Sequence, residues 1–223
     1  TVRGNLEFPL KSKVRNFSQD EINRRVNKAA ETLQITKLLD RKVERLSGGE
    51  MQRVSIGRAI VREPRVFLMD EPLSALDAKL REALRVELKK LHTELKATFL
   101  FVTHDQVEAM SMGDKIGVLN RGKLVQVGTP TEVYHNPCNT FVARAVGSPP
   151  MNLFDTRISG GQMSIGSGTI PVGANGTALD GRELTIGVRP ENIRIEGGAP
   201  VSGRVFDIGD HGVVTILAMQ VDD

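Results

Sequence analysis

The sequence predicts an α/β fold built on a parallel sheet, followed by a small β-rich domain. Three observations carry this. Two short apolar runs, VFLM (66–69) and TFLFV (98–102), flank a stretch of regularly spaced leucines; composition changes near residue 147; and the runs beyond that point are brief and separated by glycines. The apolar runs read as strands buried on both faces. Between them Leu80, Leu84, Leu88, Leu91 and Leu95 recur at the spacing of one helix face. A strand, a helix and a strand of these lengths make a right-handed parallel crossover, with the sheet covered on both sides.

Taken in order, the first periodic segment runs from about Ser18 to Lys37 and includes the amphipathic stretch SQDEINRRVNKAAETLQ. LSGGEMQRVSIGRAIV (46–61) then opens a helix whose apolar face includes Met51, Val54 and Val61. Asp77 stands where the N-cap of the leucine helix belongs. KIGVLNRGKLVQVG reads as a hairpin turning at Asn120-Arg121-Gly122, and Thr129-Pro130-Thr131-Glu132 has capping-box spacing with proline at the first helical position. Every lysine lies at or before Lys123, and 14 of the 22 glycines fall from Gly147 onward, so the boundary belongs near GSPPMN. The expected domains are therefore 1–146 and 147–223. In the second, RISGGQMSIGSGTIPVG, ELTIGVRPENIRIEG and GRVFDIGDHGVVTILAMQV suggest a small β-barrel or sandwich.

The bulk numbers exclude several classes. No apolar run reaches the roughly 18 to 20 residues of a membrane-spanning helix, and TVRGNLEFPL has neither the basic start nor the apolar stretch of a signal peptide. A lone cysteine, Cys138, offers no internal disulfide and reads as inert packing in a reducing compartment. The net charge of +3 is unevenly spread: 25 Lys+Arg face 18 Asp+Glu up to residue 146, and 5 face 9 from residue 147. That acidic balance argues against a nucleic-acid surface on the second domain.

Ligands of parallel α/β sheets gather at the carboxyl ends of the strands. Asp70 and Glu71 close the first strand; Thr103 and His104 close the second. One carboxylate there can hold a hard cation while its neighbour orients a nucleophilic water, and a histidine can donate to a phosphate oxygen as charge builds. By itself the Asp-Glu pair is equally well explained as a cap for the next segment. Ser47, Gly48 and Gly49 precede a helix, so their N–H groups form an anion site, although such a turn alone is usually a flexible N-cap. Both features occur in order, some twenty residues apart.

With these residues the chain resembles the ATPases of ATP-binding cassette transporters. LSGGE resembles the family's signature motif, VFLMDE its Walker B strand, SALD (74–77) its D-loop and His104 its switch histidine. PLSALDAKLR, GTPTEVYHNP, GSPPMN and GVRPENIRI resemble the ATPase subunits of bacterial carbohydrate importers of the maltose and glycerol-phosphate class. The resemblance implies a P-loop-type ATPase core with an α-helical subdomain, lacking its N-terminal part, and an oligonucleotide-binding-like regulatory domain that binds no nucleic acid. It implies ATP and Mg²⁺, with Asp70 holding the metal through water, Glu71 as general base and His104 on the γ-phosphate. Ser47, Gly48 and Gly49 would grip the γ-phosphate bound by the opposite subunit, and Asp77 would link the two sites. Glu50 stands where many relatives have glutamine, which is expected to change local charge but not the backbone donors. The implied partners are a second ATPase subunit, two transmembrane permeases and, indirectly, a solute-binding protein. The implied location is the cytoplasmic face of the cell membrane, reached through the permeases.

No GxxxxGK[ST] occurs in the chain, and Gly122-Lys123 precedes Leu124 in a hairpin. That loop supplies the N–H nest and lysine for the β and γ phosphates. TVRGNLEFPLK resembles the segment immediately after the family's glutamine loop, and Asp222-Asp223 falls before the last expected strands. The reading is an internal portion of a longer ATPase. A non-catalytic dimerisation or regulatory module is the alternative. An ATPase of the DNA-repair type is disfavoured, because the signature and the Asp-Glu pair lie too close for an intervening coiled coil.

Overall fold

The computed structural model describes residues 1–11, 16–74, 76–173 and 178–221. Its first unit, Thr1–Gly113, opens with three helices packed on one another: α1 (Val2–Glu7), α2 (Gln19–Thr32) and α3 (Gly48–Ile60). Ser18 caps α2 by accepting from the Glu21 N–H, and its apolar face buries Ile22, Val26, Ala29 and Ala30. The helix is shorter than the expected Ser18–Lys37 span. Gln34 adopts a positive φ of 55° just past the helix end, and a 3-10 turn at Thr36–Leu38 follows; Leu33 and Ile35 before this turn and Leu39 after it are buried in the core. Gly57 lets α3 approach its neighbours closely: a Cβ there would lie 2.8 Å from Leu6 Cδ2 and 3.1 Å from Leu33 Cδ1. These helices are the predicted α-helical subdomain.

Next come β1 (Val66–Asp70), α4 (Ala78–Leu95), β2 (Thr98–Val102) and α5 (Gln106–Met112). β1 and β2 are parallel, with Val66 opposite Thr98 and Asp70 opposite Val102. Asp77 caps α4 as expected, accepting from the Leu80 N–H at 2.9 Å, and Leu84, Leu88 and Leu91 are buried. Against them lies one face of the sheet, where Phe67 stacks on Phe99 at 4.4 Å and His92 of α4 meets Phe99 edge-on. The other face corrects the expectation of a doubly covered sheet. Val66, Leu68, Leu100 and Val102 are more than half exposed, because each strand alternates between a packed and an open side. Continuous apolarity had suggested two covered faces; among the described residues helices cover only one.

The second unit, Asp114–Asp223, begins with the hairpin of β3 (Ile116–Asn120) and β4 (Lys123–Gly128). Arg121 (φ 47°) and Gly122 (φ 76°) make its two-residue turn, the positive pair that a tight hairpin requires. Helices α6 (Pro130–His135) and α7 (Thr140–Ala145) come next in the chain, α6 with the predicted capping box between Thr129 and Glu132. Strands β5 (Asn152–Ser159), β6 (Gln162–Ile165), β7 (Gly168–Pro171) and β8 (Glu183–Val188) form an antiparallel sheet in the order β7-β6-β5-β8. β9 (Gly203–Asp210) and β10 (Thr215–Val221) form a separate hairpin. Among the described residues of this unit the strands make three sheets, β3-β4, β7-β6-β5-β8 and β9-β10, and residues 193–196, part of an expected β run, lie outside any strand. The compositional change at residue 147 falls inside this unit. Arg189, 5% exposed, crosses it: its guanidinium donates to the carbonyls of Tyr134 (2.7 Å), Ala143 (3.1 Å) and Val146 and stacks on the Tyr134 ring.

Candidate active site

β1 and β2 deliver their carboxyl ends side by side, so the residues after them share one rim. Asp70 ends β1 opposite Val102 and is exposed. The Glu71 N–H continues the ladder by donating to the Val102 carbonyl at 2.8 Å. Glu71 then turns the chain with φ +42°, a left-handed conformation that a glutamate keeps only when its surroundings hold it. Its carbonyl accepts from the Ser74 hydroxyl at 2.9 Å, and its Oε1 lies 3.1 Å from His104 Nδ1. Both side chains are open to solvent, 47% for Glu71 and 72% for His104. The structure thus brings together Asp70, Glu71 and His104, three of the residues singled out from the sequence.

His104 is flanked by a knot of polar contacts. The Thr103 hydroxyl donates to Glu108 Oε2 at 2.6 Å and accepts from the Asp105 N–H, while Asp105 caps α5. Arg81, in the first turns of α4, donates to the Leu76 carbonyl at 3.1 Å and approaches Asp105 at 3.5 Å. It therefore fastens the segment before α4 to the histidine loop. Arg81 and Glu108 escaped the sequence reading, since nothing in their spacing separates them from ordinary polar surface residues, and Ser74 was singled out only as the first residue of SALD. The buried position of Glu108, 2% exposed, is visible only in three dimensions. SALD is described at Ser74, Leu76 and Asp77; Ala75 lies outside the described residues, as do Asp222 and Asp223.

The second site element is the N-terminus of α3. Ser47 is its N-cap and Gly48 and Gly49 its first residues, as expected. The structure corrects one expectation here. Met51 is not on the apolar face: it is 44% exposed, whereas Val54, Ile56, Ile60 and Val61 are buried. The buried stripe of α3 runs through Gly49, Val54, Ile56, Gly57 and Ile60, and at 100° per residue position 51 falls outside it. Glu50 is also more than a local charge. Its Oε2 accepts from the Ser47 N–H at 2.8 Å and the Ser47 hydroxyl at 3.0 Å, closing a capping box. These bonds from the Ser47 backbone and then its side chain hold the Glu50 carboxyl below its ordinary range. A glutamine at this position could accept from the same Ser47 N–H, so glutamate differs from it in charge and not in the backbone donors it leaves; Gly48 and Gly49 keep N–H groups outside the box. Gly49 packs closely on α4: a Cβ there would fall 2.0 Å from Leu80 Cδ2, so any larger residue displaces the Leu80 side chain. The N-termini of α3 and α4 therefore touch.

Two family models match, one described as ABC transporter over residues 1–74 and one as the MalK OB fold domain over residues 147–193. The chain belongs to the ABC transporter ATPase family. The trehalose/maltose import ATP-binding protein MalK of Thermococcus litoralis is 52% identical over 86% of this chain and 53% of its own length. The sn-glycerol-3-phosphate import ATP-binding protein UgpC of Ruegeria pomeroyi is 46% identical over the whole chain and 62% of its own length. The chain thus spans between half and two thirds of these ABC relatives. Among solved structures, cbiO1 from Clostridium perfringens, part of the ABC transporter complex cbiONQ, superposes with a TM-score of 0.56 at 30% identity, covering 60% of this chain and 52% of that one. The fold is accordingly that of a P-loop-type ABC ATPase, followed in the chain by an OB-type domain. No helix among the described residues is long and apolar enough to cross a membrane.

A divalent cation can be tested against the rim. No group of three or more His, Cys, Asp or Glu side chains among the described residues could cage a metal ion. Mg²⁺ does not need one: it is commonly held by one or two carboxylates, with waters and substrate phosphates completing its shell. An exposed Asp70 at the end of β1 fits that mode.

Proposed function

We propose that this chain serves the ATP-hydrolysing subunit that powers an importer of sugar or glycerol-phosphate type solutes. The observation that carries it is the Glu71–His104 contact on the strand-end rim, in a chain that also presents a Ser-Gly-Gly helix N-terminus. Residues 1–146 would supply the ATPase portion and residues 147–223 the regulatory domain. Asp70 would hold Mg²⁺, which when bound neutralises charge on the phosphates.

Glu71 acts as general base for the attacking water. With Oε1 turned to His104, its Oε2 is the oxygen available to take the proton. His104 orients the carboxylate through Nδ1 and offers its other ring nitrogen to the γ-phosphate. Ser47, Gly48 and Gly49 present N–H groups to the γ-phosphate of ATP bound by a second subunit, and Glu50 adds a negative charge beside them. Asp77, capping the helix packed against Gly49, sets the spacing between the sites of a dimer. Two permease subunits anchor that dimer at the cytoplasmic face of the membrane, and a solute-binding protein acts through them.

The test is ATP turnover by the full chain assembled with its permeases. Glu71→Gln lowers kcat by roughly 10²-fold or more while ATP still binds. Undiminished turnover removes Glu71 from the role and the reading with it.

A further inference from the structure

Three contacts fix the backbone around Glu71. Two are local: its N–H donates to Val102, and its carbonyl accepts from Ser74. The third reaches in from another element. The side-chain amide of Gln52, on α3, donates to the carbonyl of Pro72, the residue directly after Glu71. Gln52 lies little more than one turn from Gly48, where α3 begins. The same helix is seated on α4 by Gly49 beneath Leu80 and by Arg53, whose guanidinium lies 3.4 Å from Glu87 Oε1 while donating to the Leu33 carbonyl. Burial pushes the Glu87 carboxyl up, so this seat lies in a partly desolvated contact.

We propose that Gln52 is a positioning residue that ties the phosphate-facing helix α3 to the catalytic-base loop of the same chain. The inference rests on the reading of Glu71 as the base and deepens it. A left-handed glutamate has no intrinsic preference for its conformation, so whatever fixes Pro72 fixes the direction of the carboxylate. The outer end of α3 faces one nucleotide, and its Gln52 holds the base that faces another. A shift of α3 on engaging phosphate is therefore passed to Glu71 through one amide. Catalytic geometry is steep enough for this to matter, since a misplacement of about 1 Å can cost roughly 10²-fold in rate.

The test is steady-state ATP hydrolysis by the full chain in its transporter, comparing wild type, Glu71→Gln, Gln52→Met, Gln52→Glu and Gln52→Lys. Methionine keeps the length and removes the donor, glutamate opposes the Pro72 carbonyl with a like charge, and lysine restores a donor. The expected result is a kcat lowered roughly 10- to 100-fold in Gln52→Met and Gln52→Glu, with KM for ATP nearly unchanged and most of the loss recovered in Gln52→Lys. The Gln52→Glu deficit shrinks toward acidic pH, where a protonated carboxyl can donate; a purely structural role would not produce that change. Wild-type kcat in Gln52→Met, or a lowered melting temperature with kcat intact, overturns the link while Glu71→Gln still abolishes turnover. Turnover indifferent to Glu71→Gln overturns the link and the base assignment together.

Discussion

His104 Nδ1 and Glu71 Oε1 lie 3.1 Å apart across the ends of two parallel strands, on side chains that are otherwise open to solvent. The contact joins residues 33 positions apart and aims the carboxylate. Replacing His104 with alanine removes the aim and leaves the carboxylate. Turnover is expected to fall roughly 10- to 10²-fold in His104→Ala and further in Glu71→Gln, with the double variant no worse than Glu71→Gln alone. Additive losses in a double-mutant cycle would show that the two act separately.

Glu50 occupies the Ser47 donors at the N-terminus of α3. Glutamine in its place can still close the box but carries no charge. Glu50→Gln is expected to lower the apparent KM for ATP by about 2- to 5-fold, the scale of about 0.3–1 kcal/mol for one charge at a helix N-terminus. A steady-state KM series at low and moderate salt checks this, because the effect shrinks as salt rises.

Glu21 accepts two bonds from Arg24 and one from Arg25, which pull its carboxyl down to about 2. A depressed carboxylate contributes stability above its unfolded value of about 4.3 and loses it as pH falls through the folded value. Thermal melts of wild type and Glu21→Gln are therefore expected to differ at pH 6 and to converge between pH about 4 and about 2. Curves that stay parallel over that range would mean the three-residue cluster adds nothing to the fold.

Arg189 satisfies three backbone carbonyls from a position closed to water. Removing it strands those carbonyls, so Arg189→Ala is expected to cost about 3–5 kcal/mol in chemical denaturation, on the scale of other buried charge deletions. Arg189→Lys should recover little, since an ammonium cannot reproduce the planar fork over the Tyr134 ring. Tyr134→Phe loses only the bond to Glu191 at 2.5 Å and is expected to cost under about 1 kcal/mol. Gly147, with φ +115° and a would-be Cβ 2.7 Å from the Arg189 guanidinium, belongs to the same arrangement.

Local chemistry carried the sequence reading wherever one residue type does one job. Asp77, Thr129 and Glu132 cap helices as their spacing predicts, and Arg121-Gly122 turns the hairpin. The leucines of α4 bury the predicted face. The rim of Asp70, Glu71 and His104 was legible because parallel strands bring their ends together whatever lies between. The open face of β1 and β2 was not, since Val66 and Leu68 look the same in sequence whether covered or bare. Nor were Gln52 and Arg81, whose roles depend on groups supplied by distant segments, the Pro72 carbonyl for one and the Asp105 carboxylate for the other. Glu50 was legible as a charge but was not read as a cap: a carboxylate three residues past a serine cap folds back onto it.

That bare sheet face has a practical consequence for handling. Val66, Leu68, Leu100 and Val102 place four apolar side chains in water on adjoining strands. Adjacent strands with an apolar surface are a nucleation template for colloidal association. Fluorescence of a hydrophobic dye bound to the folded chain would report that exposure, and replacing Leu68 and Leu100 with polar residues would lower it.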